Sequence, residues 1–277
     1  MIKRVLGIAL IAVMGVACTE KSGDDNPVKP SPDSSTKHYV KSIDMYDGDP
    51  TVSGDLEYIG ESIVFTLDEK NRIVNTRGVE YSNGQIVDVY ADIKFDYDDE
   101  NSKLAITADY DGEVIVVNCE LNDRGAITSA TYSGYEDMEG LIENFEYNAM
   151  GELVRYTVVY YGMVIYSYEY EWEDGNIRRI SSTDEEYGVD VVCTYTDEPN
   201  PYNIDTFYAY AWTMPMLCEM VIIHDGFFGN VNRSMLATYV DNSWGEEISF
   251  ELSHKFDNRG LIEYTYDGDV VLKYECF

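Results

Sequence analysis

A short phrase that recurs along the chain limits what the sequence can fold into more than any other feature. It consists of a large apolar residue, an Asp or Asn, a brief turn containing Gly or Asn, and a further apolar residue. The clearest copies are residues 147–153 (YNAMGEL) and 256–262 (FDNRGLI), with looser copies at 67–73 and 121–127. Asn and Asp tolerate positive φ and bond their own downstream backbone, and Gly adopts positive φ without steric cost. The phrase therefore predicts a turn between two β-strands.

The spacing of these turns predicts an all-β protein built from consecutive hairpins. The leading residues of five successive copies, from position 67 to position 172, lie 24 to 30 residues apart, which fits two strands and two turns per unit. Tighter Asn-Gly and Asp-Gly turns occur at residues 83–84, 111–112 and 267–268. The chain has 25 tyrosines and few helix-forming runs, which also favours strands. We therefore predict a large meandering antiparallel sheet, in one large domain or two smaller ones.

Two stretches depart from the alternation of apolar and polar residues that marks a half-buried strand. Residues 157–166 are apolar on both faces, which predicts a strand pair at the centre of the sheet or lining a covered interior. Residues 215–224 carry apolar side chains at helical spacing, begin with Pro215 and are followed closely by Gly226. Pro in the first turn and Gly past the last turn are typical of a helix, so one short helix is predicted at 215–224.

The first residues predict a targeting segment rather than part of the fold. Basic residues precede an apolar run at 5–14, and residues 15–18 (GVAC) resemble the lipobox of bacterial lipoproteins. The apolar run is too short for a membrane-spanning helix. We expect a signal peptide at residues 1–17 and a lipid on Cys18. Ordinary secretion with Cys18 as a free thiol is the alternative.

The residues that follow predict an extended tether and an outer-membrane address. Residues 18–36 are polar and rich in Pro and Ser, so we expect the lipidated Cys18 to be followed by a disordered segment. The acidic cluster close behind Cys18 resembles the export signal that sends some gram-negative lipoproteins to the outer leaflet. We therefore expect an outer-membrane protein, anchored by its lipid and exposed on the cell surface, with a globular domain at residues 37–277.

The charge of the chain excludes several classes of partner. The formal net charge is −33 at pH 7. A strongly acidic surface repels nucleic acid and anionic membranes. We therefore predict no nucleic-acid partner, and contact with the membrane only through the N-terminal lipid.

Four further cysteines leave the redox state open. Cys119, Cys193, Cys218 and Cys276 permit two disulfides in three possible pairings. Cys119 and Cys193 each alternate with apolar residues on one strand face, which favours small buried core residues instead. Both interpretations, structural thiols and disulfides, stand at this point.

The C-terminal strand does not have the pattern of a transmembrane barrel. Many outer-membrane barrels end in an aromatic residue that shares a lipid-facing strand face with apolar residues. Phe277 is instead in step with Glu275 and Lys273. Charged side chains on a lipid face are costly, so a barrel that lies outside the bilayer is predicted.

The lipobox, the acidic tether, the serial Tyr-Asp-x-x-Gly-x-Leu hairpins and a late Phe228-Gly229-x-x-x-Arg-Ser segment together resemble one known group. It is a family of surface lipoproteins of gut gram-negative bacteria, classified as a domain of unknown function with a porin-like fold. The resemblance covers residues 40–277 and implies a strongly curved antiparallel sheet or barrel. It implies no activity, because none is assigned to the family.

The sequence contains no recognisable catalytic constellation, and no cofactor is predicted. Its three histidines have no metal-ligand partner at i+2 or i+4, and zincin and nucleophile-elbow motifs are absent. The densest acidic cluster, with Asp96, Asp98, Asp99 and Glu100, offers oxygen ligands suited to Ca²⁺. It lacks the spaced D-x-D-x-D-G loop, so a solvated β-turn is the competing interpretation and no metal site is assigned.

Aromatic residues are the better indication of a binding site. Trp212 and Trp244, with Tyr208 and Tyr210, are the candidates for stacking on a ligand such as a sugar. Trp244 lies in a polar turn where a Trp has little core to join. Trp172 occupies the leading position of a phrase copy and is expected to pack in the core.

Three functions compete. The first is a non-catalytic surface module that binds a glycan or a protein. The second is a structural or carrier barrel that encloses an apolar ligand or docks on an outer-membrane complex. The third is a hydrolase with two carboxylates roughly 5–10 Å apart in a cleft, one of them with a raised pKa. The first is preferred, and the chain is predicted not to be an enzyme.

Overall fold

The computed structural model describes residues 39–110, 112–134, 138–182, 188–200, 226–230, 232–243, 247–268 and 270–276. The predicted helix at 215–224 lies outside these residues. No helix in the described part of the chain is long and apolar enough to cross a membrane. The strands are β1 (Val40–Asp47), β2 (Glu57–Leu67), β3 (Ile73–Ser82), β4 (Gln85–Asp98), β5 (Lys103–Tyr110), β6 (Glu113–Leu121), β7 (Ile127–Ser133), β8 (Leu141–Tyr147), β9 (Leu153–Tyr160), β10 (Met163–Glu173), β11 (Asn176–Ser182), β12 (Asp190–Pro199), β13 (Ser234–Asp241), β14 (Ile248–Glu251), β15 (Ser253–Phe256), β16 (Ile262–Tyr266) and β17 (Val270–Cys276).

These strands form one antiparallel sheet that curls into a barrel. Strands pair with their neighbours in sequence, and β17 pairs with β1, placing Ile43 opposite Tyr274. β14 and β15 follow each other in the same direction and are separated only by Leu252, so together they fill one strand position in the sheet. The seventeen strands therefore make a wall sixteen strands wide. The all-β, meandering and barrel-like prediction is confirmed. The sequence did not predict whether the sheet closes into a full barrel. In the structure, the pairing of β1 with β17 closes it.

The recurring phrase is one turn used several times. In the copy that begins at Tyr147, the side-chain Oδ1 of Asn148 accepts the backbone N–H groups of Met150 and Glu152 at 3.0 and 3.1 Å. Gly151 adopts φ +95° and donates its N–H to the carbonyl of Asn148 at 3.0 Å. Asp68, Asn122 and Asp257 make the same contacts in the copies at 67–73, 121–127 and 256–262. The phrase therefore encodes a side-chain-capped hairpin turn, as predicted.

The four turns that share the Asn148 pattern of hydrogen bonds lie at one end of the barrel. Because direction alternates along a meander, the turns at 67–73, 121–127, 147–153 and 256–262 share one end, which we call the lower end. The tight Asn83-Gly84 hairpin between β3 and β4 lies at the other, upper end, while the two-residue turn at Asp174-Gly175 between β10 and β11 lies at the lower end.

A segment after β12, residues 226–230, packs into the lower end of the barrel, and we call it the lower plug. The carbonyl of Phe227 accepts the N–H of Ile127 at 2.7 Å, and Asn230 donates its N–H to the carbonyl of Gly151 at 2.8 Å. The ring of Phe228 is fully buried and stacks on Phe145 at 5.7 Å between centroids. The plug is thus fastened to the phrase turns by its backbone and to the core by its rings.

Inward and outward faces of the wall differ sharply. The predicted inward alternation of Val117 with Cys119, and of Val191 with Cys193, is confirmed, because all four side chains are buried. Strand residues on the outer face are mostly polar. Cross-strand ion pairs on this face join Lys103 to Glu120, Arg155 to Glu169, Arg179 to Asp190 and Lys255 to Glu263.

The apolar hairpin at 157–166 does not line a covered interior over its whole length, so that prediction is wrong for its tip. Tyr161, Met163 and Val164 are 63, 67 and 63% exposed. The reason is geometric: the hairpin extends beyond the layer in which Val158 packs, so both faces of its tip meet solvent. Other exposed apolar residues also lie near the upper end and include Ile59, Ile86, Val87, Val89, Val114, Ile142, Ile165 and Ile248. We call this set the upper apolar rim.

Candidate functional site

The aromatic site predicted from the sequence lies outside the described residues. This holds for Tyr208, Tyr210, Trp212 and Trp244 and for the lipidation residue Cys18, so these assignments stay predictions. The expectation for Trp172 is confirmed, because its ring packs against the core and its Nε1–H donates to the carbonyl of Leu153 at 2.7 Å.

The acidic cluster proposed as a calcium candidate is a capped turn. Asp98 accepts the backbone N–H and the side-chain Nδ2 of Asn101, while Asp99 accepts Lys70 Nζ at 2.5 Å and an Arg72 nitrogen at 2.6 Å. Asp96 lies exposed on the outer face of β4, and Glu100 is exposed in the turn. Among the described residues, no group of three or more potential metal ligands converges. The carboxylates of Asp98 and Asp99 are therefore bound to different partners rather than arranged around one ion.

The three cysteines in the described part of the chain are free thiols. Cys119 and Cys193 are buried and Cys276 is half-buried. Burial raises the pKa of the Cys193 thiol to about 12 and that of Cys276 to about 11. A thiol that stays protonated is a poor nucleophile, so these cysteines serve as packing groups.

A buried carboxylic acid in the barrel interior is the most unusual titratable group. Glu143 is 2% exposed and has no cation among its hydrogen-bond partners. The hydroxyls of Tyr132 and Tyr156 donate to its Oε2 and Oε1, each at 2.5 Å. Burial raises the pKa of Glu143, although the two hydrogen bonds oppose the rise. A two-carboxylate hydrolase needs a second acid and access for water, and Glu143 is buried and bonds to no carboxylate in the described part of the chain.

The inward position of Glu143 could have been predicted from the sequence. Glu143 is in step with Leu141, Phe145 and Tyr147 on β8, so the two-residue period of a strand places it on the inward face. A lone carboxylate among inward-facing apolar residues is itself the signal.

We expect Glu143→Gln to stabilise the protein at neutral pH by about 1–3 kcal/mol. The substitution should also remove the part of the pH dependence of stability that comes from titration of Glu143. The folded pKa is raised, so the contribution of Glu143 to stability is fully present below its unfolded pKa. That contribution is lost as pH rises through the folded value. Urea unfolding of both proteins across a pH series checks this, with the difference between them as the readout.

The comparison isolates Glu143 from the surface acids. The pKa of Asp99 is lowered by its hydrogen bonds to Lys70 and Arg72, so its stabilisation is lost on acidification in both proteins alike. A difference in free energy of unfolding that stays constant across the pH series would contradict the assignment.

The described part of the chain also contains a groove on the outer wall. It has a volume of about 540 Å³ and crosses β1, β2 and β3, with one edge formed by β17. Three tyrosines line it, Tyr46, Tyr58 and Tyr81, together with polar side chains. We call it the Tyr58 groove.

A chain of hydrogen bonds fixes the centre of the Tyr58 groove. Ser62 Oγ donates to Asp44 Oδ1 at 2.6 Å and lies 2.7 Å from the hydroxyl of Tyr58. A hydroxyl carries one hydrogen, and Ser62 gives its own to the carboxylate, so Tyr58 is the donor to Ser62. The second carboxylate oxygen of Asp44, Oδ2, has no hydrogen-bond partner among the described residues.

The register of the wall brings these groups together. Asp44 lies opposite Ser62 and Tyr46 opposite Tyr58, with a bulge in the pairing between the two positions. The rings of Tyr46 and Tyr58 are 5.3 Å apart at an angle of 49°, and Lys273 Nζ lies 3.9 Å from the centroid of the Tyr46 ring. The aromatic faces are thus held in one orientation by neighbours on both sides.

Comparison with solved structures supports the barrel. A porin-like protein from Bacteroides uniformis ATCC 8492 superposes with a TM-score of 0.64 at 13% sequence identity, covering 86% of this chain and 100% of that one. A porin-like protein from Bacteroides vulgatus ATCC 8482 covers 86% of this chain and 98% of its own at 8% identity, but its TM-score of 0.30 carries no argument. No family model matches the chain, and no curated protein matches it in sequence. At 13% identity the first likeness shows the fold alone.

Proposed function

We propose that this protein is a non-catalytic binding module, held on the outer membrane by a lipid on Cys18 and exposed at the cell surface, that binds a glycan or a protein. The observation that carries the proposal is the Tyr58 groove. It combines aromatic faces with fixed polar groups, the usual composition of a ligand site.

The outer wall supports attachment by a lipid rather than by the barrel itself. Ion pairs such as Lys103–Glu120 and Arg155–Glu169 lie on the outward face of the strands. A Lys or Arg side chain on a lipid-facing barrel strand costs about 2–4 kcal/mol at the bilayer midplane. A wall with many such residues is suited to water, so the membrane contact falls to the N-terminal lipid.

The interior argues against an enclosed ligand. Inward-facing side chains of the described residues pack into one core, and the lower plug adds Phe227 and Phe228 to it. The second candidate, docking on an outer-membrane complex, is favoured by a different observation, the upper apolar rim. Exposed apolar side chains gathered at one end of a protein are typical of protein contact sites.

The anchoring is tested by fractionating cells that express the wild type, Cys18→Ala or Cys276→Ala. We expect the wild type and Cys276→Ala to sediment with the outer membrane and to be degraded by protease added to intact cells. Cys18→Ala should leave the membrane fraction, because a lipid-linked cysteine would be the only tie to the bilayer.

Cys276→Ala is the matched control, since it removes a free thiol from the barrel and leaves the N-terminal segment unchanged. Membrane retention of Cys18→Ala would count against a lipid anchor. Protection of the wild type from protease in intact cells would count against surface exposure.

A further inference from the structure

We infer that the Tyr58 groove binds a neutral carbohydrate chain, with sugar rings packed on Tyr58 and its neighbouring tyrosines and sugar hydroxyls bound by Asp44. The inference rests on the proposed function and gives it a ligand class and a location. The site is separate from the aromatic residues that the sequence suggested.

The size and position of the groove fit side-chain recognition of a small ligand. Its volume of about 540 Å³ lies within the range of about 300–1,000 Å³ that is usual for small-molecule sites. The groove lies on the face of the sheet, where β1 is paired on both sides, to β2 and to β17. A peptide therefore cannot add here as a further strand, the mode that gives peptides affinity through the backbone.

The aromatic groups suit sugar rings. A pyranose presents C–H groups on its faces and hydroxyls around its edge, and a tyrosine offers an apolar ring with a polar tip. Tyr58 is 37% exposed, and its hydroxyl is fixed on Ser62, which is itself 1% exposed. A ring held in this way loses little conformational entropy when a ligand packs on it.

The polar groups suit sugar hydroxyls. Oδ1 of Asp44 accepts the hydrogen bond from Ser62, and Oδ2 can accept a hydrogen bond from a ligand. Hydrogen bonds to an ionised carboxylate are about twice as strong as neutral ones. Asn83, at the edge of the groove, can both donate and accept.

The charges favour a neutral ligand. Lys41 is paired with Glu275 at 2.6 Å, and Lys273 lies over the Tyr46 ring across from Asp44. Basic and acidic groups around the groove therefore balance, while the whole chain carries −33 and repels anionic chains. No free cluster of basic side chains lines the described groove to hold a carboxylate or sulfate group.

The test is a glycan array with neutral and anionic structures, followed by calorimetric titration of the full-length protein in detergent with malto-, cello-, manno- and xylo-hexasaccharides. We expect the wild type to bind at least one neutral glycan. Tyr58→Ala and Asp44→Asn should each weaken that binding at least about tenfold, since each removes a central contact. Tyr161→Ala removes an exposed tyrosine outside the groove and should leave affinity unchanged.

The outcomes separate this inference from the proposed function. Unchanged affinity in both groove variants, with unchanged circular dichroism, would overturn the groove as the site while leaving a glycan-binding module in place. Binding restricted to anionic glycans, or no glycan binding by a protein that is exposed on the cell surface, would overturn the neutral-carbohydrate class. Failure of surface exposure itself would instead reject the proposed function.

Discussion

Phe228→Ala is expected to lower the free energy of unfolding by about 3–5 kcal/mol, the usual cost of removing a buried phenylalanine ring. Phe228 is 0% exposed, and its ring stacks on Phe145, which in turn contacts Tyr156 at 5.2 Å between centroids. Truncation leaves a cavity between the lower plug and the strands. Because the plug is tied to the phrase turns by backbone hydrogen bonds, it cannot collapse easily into that space. Urea denaturation, followed by circular dichroism, measures the effect.

The matched control is Met150→Ala at the same end of the barrel. Met150 is 65% exposed in a phrase turn, so its truncation should change the free energy of unfolding by about 0.5 kcal/mol or less. A loss below about 1 kcal/mol for Phe228→Ala would mean that the lower plug is not part of the cooperative fold.

Gly229→Ala is expected to destabilise by several kcal/mol, about 3 or more, for two separable reasons. Gly229 has φ +81°, a conformation that costs a residue with a Cβ about 1–2 kcal/mol. A Cβ at this position would also lie 2.3 Å from the carbonyl oxygen of Gly151 and 2.7 Å from the Tyr147 ring. Relief of that overlap requires the plug to separate from the phrase turn.

Gly162→Ala separates the two contributions. Gly162 has the same φ of +81° at the tip of the β9–β10 hairpin, but nothing lies within 4 Å of an added Cβ. It should therefore show only the conformational cost, about 1–2 kcal/mol. Equal losses of stability in the two variants, by thermal or urea unfolding, would show that the plug is not packed against the turn at Gly151.

Local turn chemistry made most of the fold predictable. The hydrogen bonds of the phrase at Asn148 all lie within five residues, so the phrase forms the same turn wherever these residues recur. The alternation of Val117 and Cys119 likewise identifies an inward face without reference to any other strand. The hairpin at 157–166 was misjudged for the opposite reason. How far a hairpin projects beyond the core depends on the lengths of the neighbouring strands, which its own residues do not encode.

The candidate site was largely beyond sequence reasoning. Tyr46, Tyr58 and Tyr81 come from three strands, and only the registers of β1 against β2 and of β2 against β3 place them in one groove. Glu275 joins the groove through the β1–β17 pairing, which no local pattern predicts. Glu143, which lies in the interior and not in the groove, differs in this respect, because the two-residue period of β8 alone is enough to place it on the inward face.

The seam between β1 and β17 also sets a condition on folding kinetics. The other pairings join strands that follow one another in sequence, and most of these strands are linked by short turns that can close early; the exception is β12 with β13, which residues 200–233 separate. The seam joins groups as far apart as Lys41 and Glu275, which are 234 residues apart. Until the seven residues of β17 dock, the sheet has two unpaired edges that can associate with other chains. The seam is therefore the pairing of highest contact order, and a chaperone that shields strand edges would matter most while the seam is open.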